Sequence, residues 1–346
     1  MTALEFRNVS KHIVSDFTRR KRQILHDVTF DVREGETLAY LGHNGAGKTT
    51  SIKALLGLIR IDSGSIELLG QAPGDRRGLS RVGYVPEKPY FYDHLSGREF
   101  LQLVADLHDV SRRDAVRRIG EVLDLVSMEP KADQRMRTYS KGMLQRIGLG
   151  QALINDPDLL VLDEPMSGLD PMGRHHIRTI VAELKERGKT ILMSSHIIGD
   201  VEAVADRAAI LSEGRLRRVV DLDDRTADAR GLEIQCRGLD ALGEDRIAKT
   251  GVVCERGGDV VRIRIDDRGD LAEVISAVQG AGGYVLRVAP VRMDLEGIFL
   301  AEIAAERGQA SVDTDEETRE HVRRVLDHLV TSTHEAARAD HEEVLS

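Results

Sequence analysis

Three stretches predict an α/β fold with a parallel central sheet. In the first, the apolar run Leu38-Ala39-Tyr40-Leu41 leads into Gly42-His43-Asn44-Gly45-Ala46-Gly47-Lys48-Thr49-Thr50, after which Ile52, Leu55, Leu56 and Ile59 recur at helical spacing. That is strand, glycine loop, helix. In the second, the wholly apolar Leu159-Leu160-Val161-Leu162 ends in Asp163-Glu164-Pro165, the way a buried parallel strand delivers carboxylates to the carboxyl edge of a sheet. In the third, Thr190 to Met193 ends in Ser194-Ser195-His196. The polar residues sit at the strand ends, so the three sets are expected to meet along one edge.

The chemistry follows from the residue types. Gly42, Gly45 and Gly47 lack a Cβ, so the backbone can curl until its N–H groups point inward, with the positive end of the helix behind them. The loop becomes a nest for the phosphates of a nucleotide. Lys48 reaches the β- and γ-phosphates as a movable point charge, and the Thr49 hydroxyl takes one coordination position on Mg²⁺. Asp163 holds the same ion directly or through water, while Glu164 orients or deprotonates the water that attacks the γ-phosphate. His196, at a strand end beside two others, is placed to contact that phosphate.

Composition narrows the class. A chain of 346 residues, 41% hydrophobic, can bury a substantial core and suggests two domains. A net charge of −9 argues against a nucleic-acid partner. Arg19, Arg20, Lys21 and Arg22, the densest basic run, read as a solvated loop between strands. Cys236 and Cys254 show no CxxC spacing, so neither disulfides nor a zinc site is implied and a reducing cytosol fits. The first residues carry no leader-like pattern, and no apolar run approaches the ~20 residues needed to span a bilayer. A membrane role is expected to come through a partner.

In chain order, Leu4 to Val9 and Val28 to Val32 read as two strands, the second leading through Glu34-Gly35-Glu36 into the strand before the loop. They predict an antiparallel flap. Ile61 to Gly64 reads as a turn, Ser65 to Leu69 as a short strand and Val82 to Val85 as another, stopped by Pro86, which leaves Glu87 just past a strand end. From about residue 94 to 150 the pattern is helical. Ser96 and Glu99 form a capping box before Phe100, Leu103, Val104 and Leu107, and Ser111 caps a helix carrying Ile119, Val122 and Leu123. Ser140 is the N-cap of the next helix, and with Gly142 beside it that helix start is a second anion site. Pro171 opens a helix with Ile177, Ile180, Val181 and Leu184 on one face, closed by Gly188.

Taken in this order, the pieces from residue 1 to about 220 resemble the nucleotide-binding subunit of an ATP-binding-cassette (ABC) transporter. Gly42 to Thr50 resembles the Walker A loop, Glu87 falls in the Q-loop, and Ser140 to Gln145 resembles the signature motif. Leu159 to Glu164 resembles Walker B, Ser167 to Asp170 the D-loop, and His196 the switch histidine. The resemblance implies a P-loop NTPase core of ABC type that binds ATP with Mg²⁺, Glu87 joining Thr49 and Asp163 at the metal. It also implies two chains, as homodimer or heterodimer, pairing head to tail. Ser140 and Gly142 of one chain, with Asp170 among the nucleotide contacts, then complete the Walker A site of the other. The expected partner is a separate transmembrane permease, which would hold the protein on the cytoplasmic face of the membrane. Three departures stand out. Glu87 replaces the usual Gln; Lys141 and Met143 replace a usual Gly and Gln, as in exporter subunits paired with six-helix permeases. Ile13 occupies the place of the aromatic that stacks on adenine, with Phe17 the nearest later candidate. A soluble, ATP-gated interaction module is the alternative function, although such relatives carry two cassettes or a long coiled-coil insertion.

Past about residue 230 the motif match ends. Strands at Leu232 to Arg237, Val252 to Glu255, Val260 to Ile265 and Tyr284 to Ala289 alternate with helices near Leu239 to Lys249 and Leu271 to Gln279. The order βαββαβ predicts a small ferredoxin-like α+β accessory domain over residues 230–305, with no catalytic constellation. Residues 309–346 read as an acidic tail in which Val322, Val325, Leu326, Leu329 and Val330 form one helical stripe. His321, His328, His334 and His341 do not share a helical face, so no zinc site is expected there. Pro89-Tyr90-Phe91-Tyr92 concentrates aromatics in a chain with only 3% of them, and that patch is expected to touch the permease.

Overall fold

The computed structural model describes residues 1–14, 21–222, 232–239, 247, 253–257, 259–265, 271–290, 295–299 and 302. The chain divides into two units, Met1–Gly297 and Ile298–Ser346, and the elements below belong to the first. They run β1 (Thr2–Val14), β2 (Lys21–Arg33), β3 (Thr37–Leu41), α1 (Lys48–Leu55), β4 (Ser63–Leu68), α2 (Arg76–Leu79), β5 (Val82–Val85), α3 (Gly97–Leu107), α4 (Arg112–Leu125), α5 (Lys141–Leu153), β6 (Leu159–Leu162), α6 (Pro171–Glu186), β7 (Thr190–Ser195), α7 (Ile198–Val204), β8 (Arg207–Ser212) and β9 (Arg215–Asp221).

The central sheet has the order β5-β6-β7-β3-β8-β9, parallel up to β8, with β9 returning antiparallel on the edge. Side chains alternate between its faces. Leu160, Leu162, Ile191 and Met193 point into a core shared with α3 to α6, while Leu159, Val161, Leu192, Leu38 and Tyr40 point into a second core under the flap and α1. The flap is the antiparallel sheet β2-β1-β4. It meets the central sheet through a stack of Phe6 on Phe30 (ring centroids 4.6 Å apart) and Phe30 on Tyr40 (5.0 Å). Removing any one of these rings would cost about 3–5 kcal/mol.

The flap strands β1 and β2 are longer than the apolar pattern predicts, at 13 residues each. Lys21 and Arg22, expected in a solvated loop, lie in β2 opposite Val14 and Ile13. Ladder hydrogen bonds need no apolar side chain, so polar residues extend a pairing that the core has begun. The rest of that expected loop, Phe17 included, lies outside the described residues. Similarly β7 continues through Ser194 and Ser195, both buried, because their hydroxyls find partners. The helical insertion forms with the predicted caps: Ser96 N donates to Glu99 Oε2 (2.8 Å) and Glu99 N to Ser96 Oγ (3.2 Å), an arrangement contributing about 1 kcal/mol. Ser111, Ser140 and Asp170 cap α4, α5 and α6.

Downstream, β10 (Leu232–Arg237), β11 (Val253–Gly257), β12 (Val260–Ile265), α8 (Leu271–Gly280) and β13 (Tyr284–Pro290) follow. They build an antiparallel sheet of order β11-β12-β10-β13, the spatial order of a βαββαβ ferredoxin-like unit. Val274 and Val278 of α8 pack on Ile234, Cys236, Val261 and Ile263. Of the helix expected at Leu239 to Lys249, only Leu239 and Ile247 are described; the tail stripe and its four histidines lie outside the described residues. Among the described residues no helix is long and apolar enough to cross a membrane.

Candidate active site

The carboxyl edge of the central sheet gathers the three predicted sets. β3 lies between β7 and β8, so Leu41 delivers the glycine loop beside the ends of both. Gly42 N donates to Ser195 O (3.1 Å), and a Cβ on Gly42 would stand 2.4 Å from Leu211 O, which requires glycine there. Gly47 has φ 111° and serves as N-cap of α1 without any side-chain cap, leaving the first N–H groups of the helix for an anion. Lys48 is buried and folds back over this nest. Its Nζ donates to the carbonyls of Gly42 and His43 and stands 3.0 Å from Glu164 Oε1.

Opposite the loop, Ser194 at the end of β7 organises both carboxylates that β6 delivers. Its hydroxyl donates to Asp163 Oδ1 (2.7 Å) and accepts from Glu164 N (2.8 Å). Thr49 Oγ1 donates to the same Asp163 oxygen at 3.3 Å. Burial pushes the Asp163 carboxyl above the usual carboxylate range, the Ser194 and Thr49 hydroxyls opposing it. Burial also pushes Glu164 up, but the hydrogen bond from His196 and the charge of Lys48 outweigh it and leave Glu164 below that range. His196 Nδ1 lies 2.8 Å from Glu164 Oε2. Glu164 Oε1 faces Lys48 as an ion pair, without an aligned hydrogen-bond donor. The Glu164 backbone sits at φ 50°, a left-handed conformation sparsely used by side-chain-bearing residues and concentrated at functional sites.

These groups border a cavity of about 430 Å³. The loop residues His43, Asn44, Gly45, Gly47, Lys48, Thr49 and Thr50 line it together with Glu87, Glu164, Ser167 and His196. Gly42, Ala46 and Asp163 are not on its surface; Ala46 and Asp163 are each 1% exposed, and Asp163 lies behind the lining, bonded to the Thr49 hydroxyl. Ile13, Arg22 and Ile24 of the flap complete the lining. Ile13 is opposite Arg22 in the β1–β2 ladder, and Ile24 follows at an irregularity of the same ladder.

A family model described as ABC transporter matches residues 25–167. An uncharacterized ABC transporter ATP-binding protein of Synechocystis sp. is 41% identical over 291 residues, spanning 84% of this chain and 80% of that protein. The chain belongs to the ATP-binding proteins of ABC transporters. A second uncharacterized member, from Nostoc sp., is 43% identical across 81% of this chain and 83% of its own length. The bacitracin transport ATP-binding protein BcrA of Bacillus licheniformis is 39% identical over 57% of this chain and 64% of that protein. A solved ATP-binding subunit of an ABC transporter superposes with a TM-score of 0.57 at 33% identity, covering 65% of this chain and 92% of that one. The protein is thus an ABC ATPase, the subunit that energises transport by a separate permease.

Three of the predicted nucleotide-site residues lie elsewhere on this ABC ATPase. Ser140, Gly142 and Asp170 border a second cavity, of about 390 Å³, with Lys141, Met143, Arg146 and His176. The helices α5 and α6 both open onto it, Ser140 Oγ accepting from Met143 N (3.3 Å) and Asp170 Oδ1 from Gly173 N (2.8 Å). Three residues at this site were given no role from the sequence, the lining Arg22 and Ile24 and the bridging Ser194, while Ser167 was named only as the start of the D-loop stretch. Only Ser194 had a usable signal, as a hydroxyl at a buried strand end.

Proposed function

We propose that two copies of this ABC ATPase close head to tail around two ATP molecules and so drive export through the permease. The observation that carries the reading is that the phosphate-binding groups of one chain fall in two cavities with no lining residue in common. A triphosphate seated on the glycine loop meets the orphan N–H groups of α1 and Lys48, which exchanges Glu164 for phosphate oxygens. Its γ end must point toward Glu164 and His196. The Ser140 end of another chain then faces that phosphate, adding a second helix N-terminus from across the interface. Glu164 Oε1 is the free acceptor for the proton of the attacking water, and His196 holds the other oxygen of the same carboxylate. The Thr49 hydroxyl and the Asp163 carboxylate are hard oxygen donors of the kind Mg²⁺ selects, and a cation would relieve the buried charge of Asp163. Thr49, Asp163 and Glu87 would hold that ion, which supplies charge neutralisation at the β- and γ-phosphates when bound. Size-exclusion light scattering of the Glu164→Gln chain tests the pairing. ATP should convert it from monomer to dimer, and a chain that binds ATP yet stays monomeric would remove the composite site.

With the γ end fixed, the base is expected against Ile13, Arg22 and Ile24, which among the described residues form an aliphatic and cationic wall. Ile13→Tyr is expected to raise ATP affinity about fivefold or more, since stacking of a base on an aromatic contributes roughly 1–3 kcal/mol. Titration with a fluorescent ATP analogue reads this, and no gain would place the base elsewhere.

Export is supported by Lys141 and Met143 in the signature, and transport by the name of the bacitracin relative. For the permease contact, the aromatic patch divides. Phe91 packs edge-on against Phe100 (5.2 Å between centroids) and belongs to the core, whereas Tyr90 and Tyr92 are 96% and 56% exposed. Tyr92, His94, Leu95, Arg98, Gln102 and Leu103 border a largely apolar groove, the form of a site for a partner helix. Tyr92→Ala is expected to cut permease-stimulated hydrolysis about tenfold with basal hydrolysis and Tm unchanged. A loss of basal hydrolysis as well would return Tyr92 to the fold. The domain division at residues 220–230, with 230–305 as an accessory module and 309–346 as a tail, belongs to the same proposal.

A further inference from the structure

A side chain of the second cavity reaches the turn that borders the first. Lys141, the first residue of α5, borders the second cavity, and its Nζ donates to Ser167 O at 2.7 Å. Ser167 borders the first cavity, and its own N–H donates to Glu164 O (3.1 Å), closing the turn Glu164-Pro165-Met166-Ser167. Gly168 makes room for the tether. A Cβ there would stand 2.3 Å from Lys141 Nζ, and the residue has φ 64°. Two hydrogen bonds in series therefore run from the second cavity to the backbone of Glu164, whose left-handed conformation needs support from its surroundings.

We propose that Lys141 is a positioning residue that reports occupancy of the second cavity to Glu164 of the same chain. A neutral carbonyl holds an ammonium less strongly than a phosphate does. When the γ-phosphate of a nucleotide bound to the other copy reaches the Ser140 end, it draws the Lys141 ammonium from Ser167 O. The turn is released, and Glu164 can adjust to its own nucleotide. Each site then senses the other through its own chain, giving positive coupling between the two ATP molecules. The inference rests on the paired arrangement proposed above, but the tether itself exists in the single chain and can be tested there.

The first measurement needs no nucleotide. Hydrogen exchange of the full-length chain compares the parent, Lys141→Met and Lys141→Arg at the amides of Ser167 and Leu169. Lys141→Met should speed their exchange about three- to tenfold, the range for an exposed charge-assisted hydrogen bond, while Lys141→Arg should keep it near the parent. Parent-like exchange in Lys141→Met would overturn the tether, whatever the nucleotide chemistry. The second measurement is steady-state hydrolysis over a range of ATP. The parent and Lys141→Arg should show a Hill coefficient above one; Lys141→Met should fall to about one with lowered kcat and an unchanged affinity for a fluorescent ATP analogue. Lys141→Met with the parent's Hill coefficient and kcat, or Lys141→Arg as impaired as Lys141→Met, would overturn the coupling role. An altered tether in a chain that never dimerises would instead count against the paired arrangement.

Discussion

Replacing Glu164 with Gln should lower ATP turnover about 10²- to 10⁴-fold, the share carried by a positioned general base, and leave ATP binding equal to or tighter than the parent's. Gln fills the same volume and can adopt the same backbone at φ 50°, but its amide cannot take a proton from water. The binding side follows from Lys48. In the parent its ammonium is shared with Glu164 Oε1 at 3.0 Å; in the variant that competition is gone and the phosphates inherit the cation. Phosphate release gives the turnover and a fluorescent ATP analogue the affinity. The pH dependence has a defined sign. Because Glu164 is held below the usual carboxylate range, the base is present at neutral pH, and its contribution is lost only as pH falls through that lowered value. Equal turnover in variant and parent would remove Glu164 from the chemistry.

The parts of this site that the sequence displayed are those carried by contiguous residues. The glycine loop, Asp163 and Glu164 behind four apolar residues, and His196 behind a buried strand were all legible, because one strand end places its own neighbours. That the strand ends meet along one edge was legible too, but which strand neighbours which was not. Ser194 bridges Asp163 and Glu164 only because β7 lies beside β6, and no spacing in the sequence encodes that adjacency. Arg22 was hidden by a different effect: four consecutive basic residues read as solvent-facing, yet the second pair extends β2 and Arg22 itself borders the cavity. The hairpin of β8 and β9 and the helix α7 were missed as well. Their short segments fall between stronger signals; the ladder of β8 on β3 and of β9 on β8 fixes the hairpin, and packing on α6, β3 and β7 fixes α7. Lys141 was visible as a departure from the family pattern, but its tether to Ser167 required knowing that α5 and the turn after β6 lie side by side.

Mixing two inactive chains should restore about a quarter of the parent's turnover if each site draws on both copies. Lys48→Ala removes the cation of the glycine loop, and Ser140→Arg places bulk at the start of α5, in the second cavity. Each variant alone should be nearly inactive, since in a pair of identical chains every site carries the defect. In random mixing about half of the pairs contain one chain of each kind, and one of the two sites in such a pair joins an intact loop to an intact Ser140 end. If the sites turn over independently, the product is about one quarter. If Lys141 couples them, the damaged site will hold back the intact one and turnover will fall below that fraction, while trapping of nucleotide at the intact site persists. Occlusion and hydrolysis are therefore measured together, on pairs whose formation is confirmed by a tag on one variant. Were both groups to serve a single ATP within one chain, no mixture could recover either signal, and tagged mixed pairs showing neither would end the shared-site mechanism.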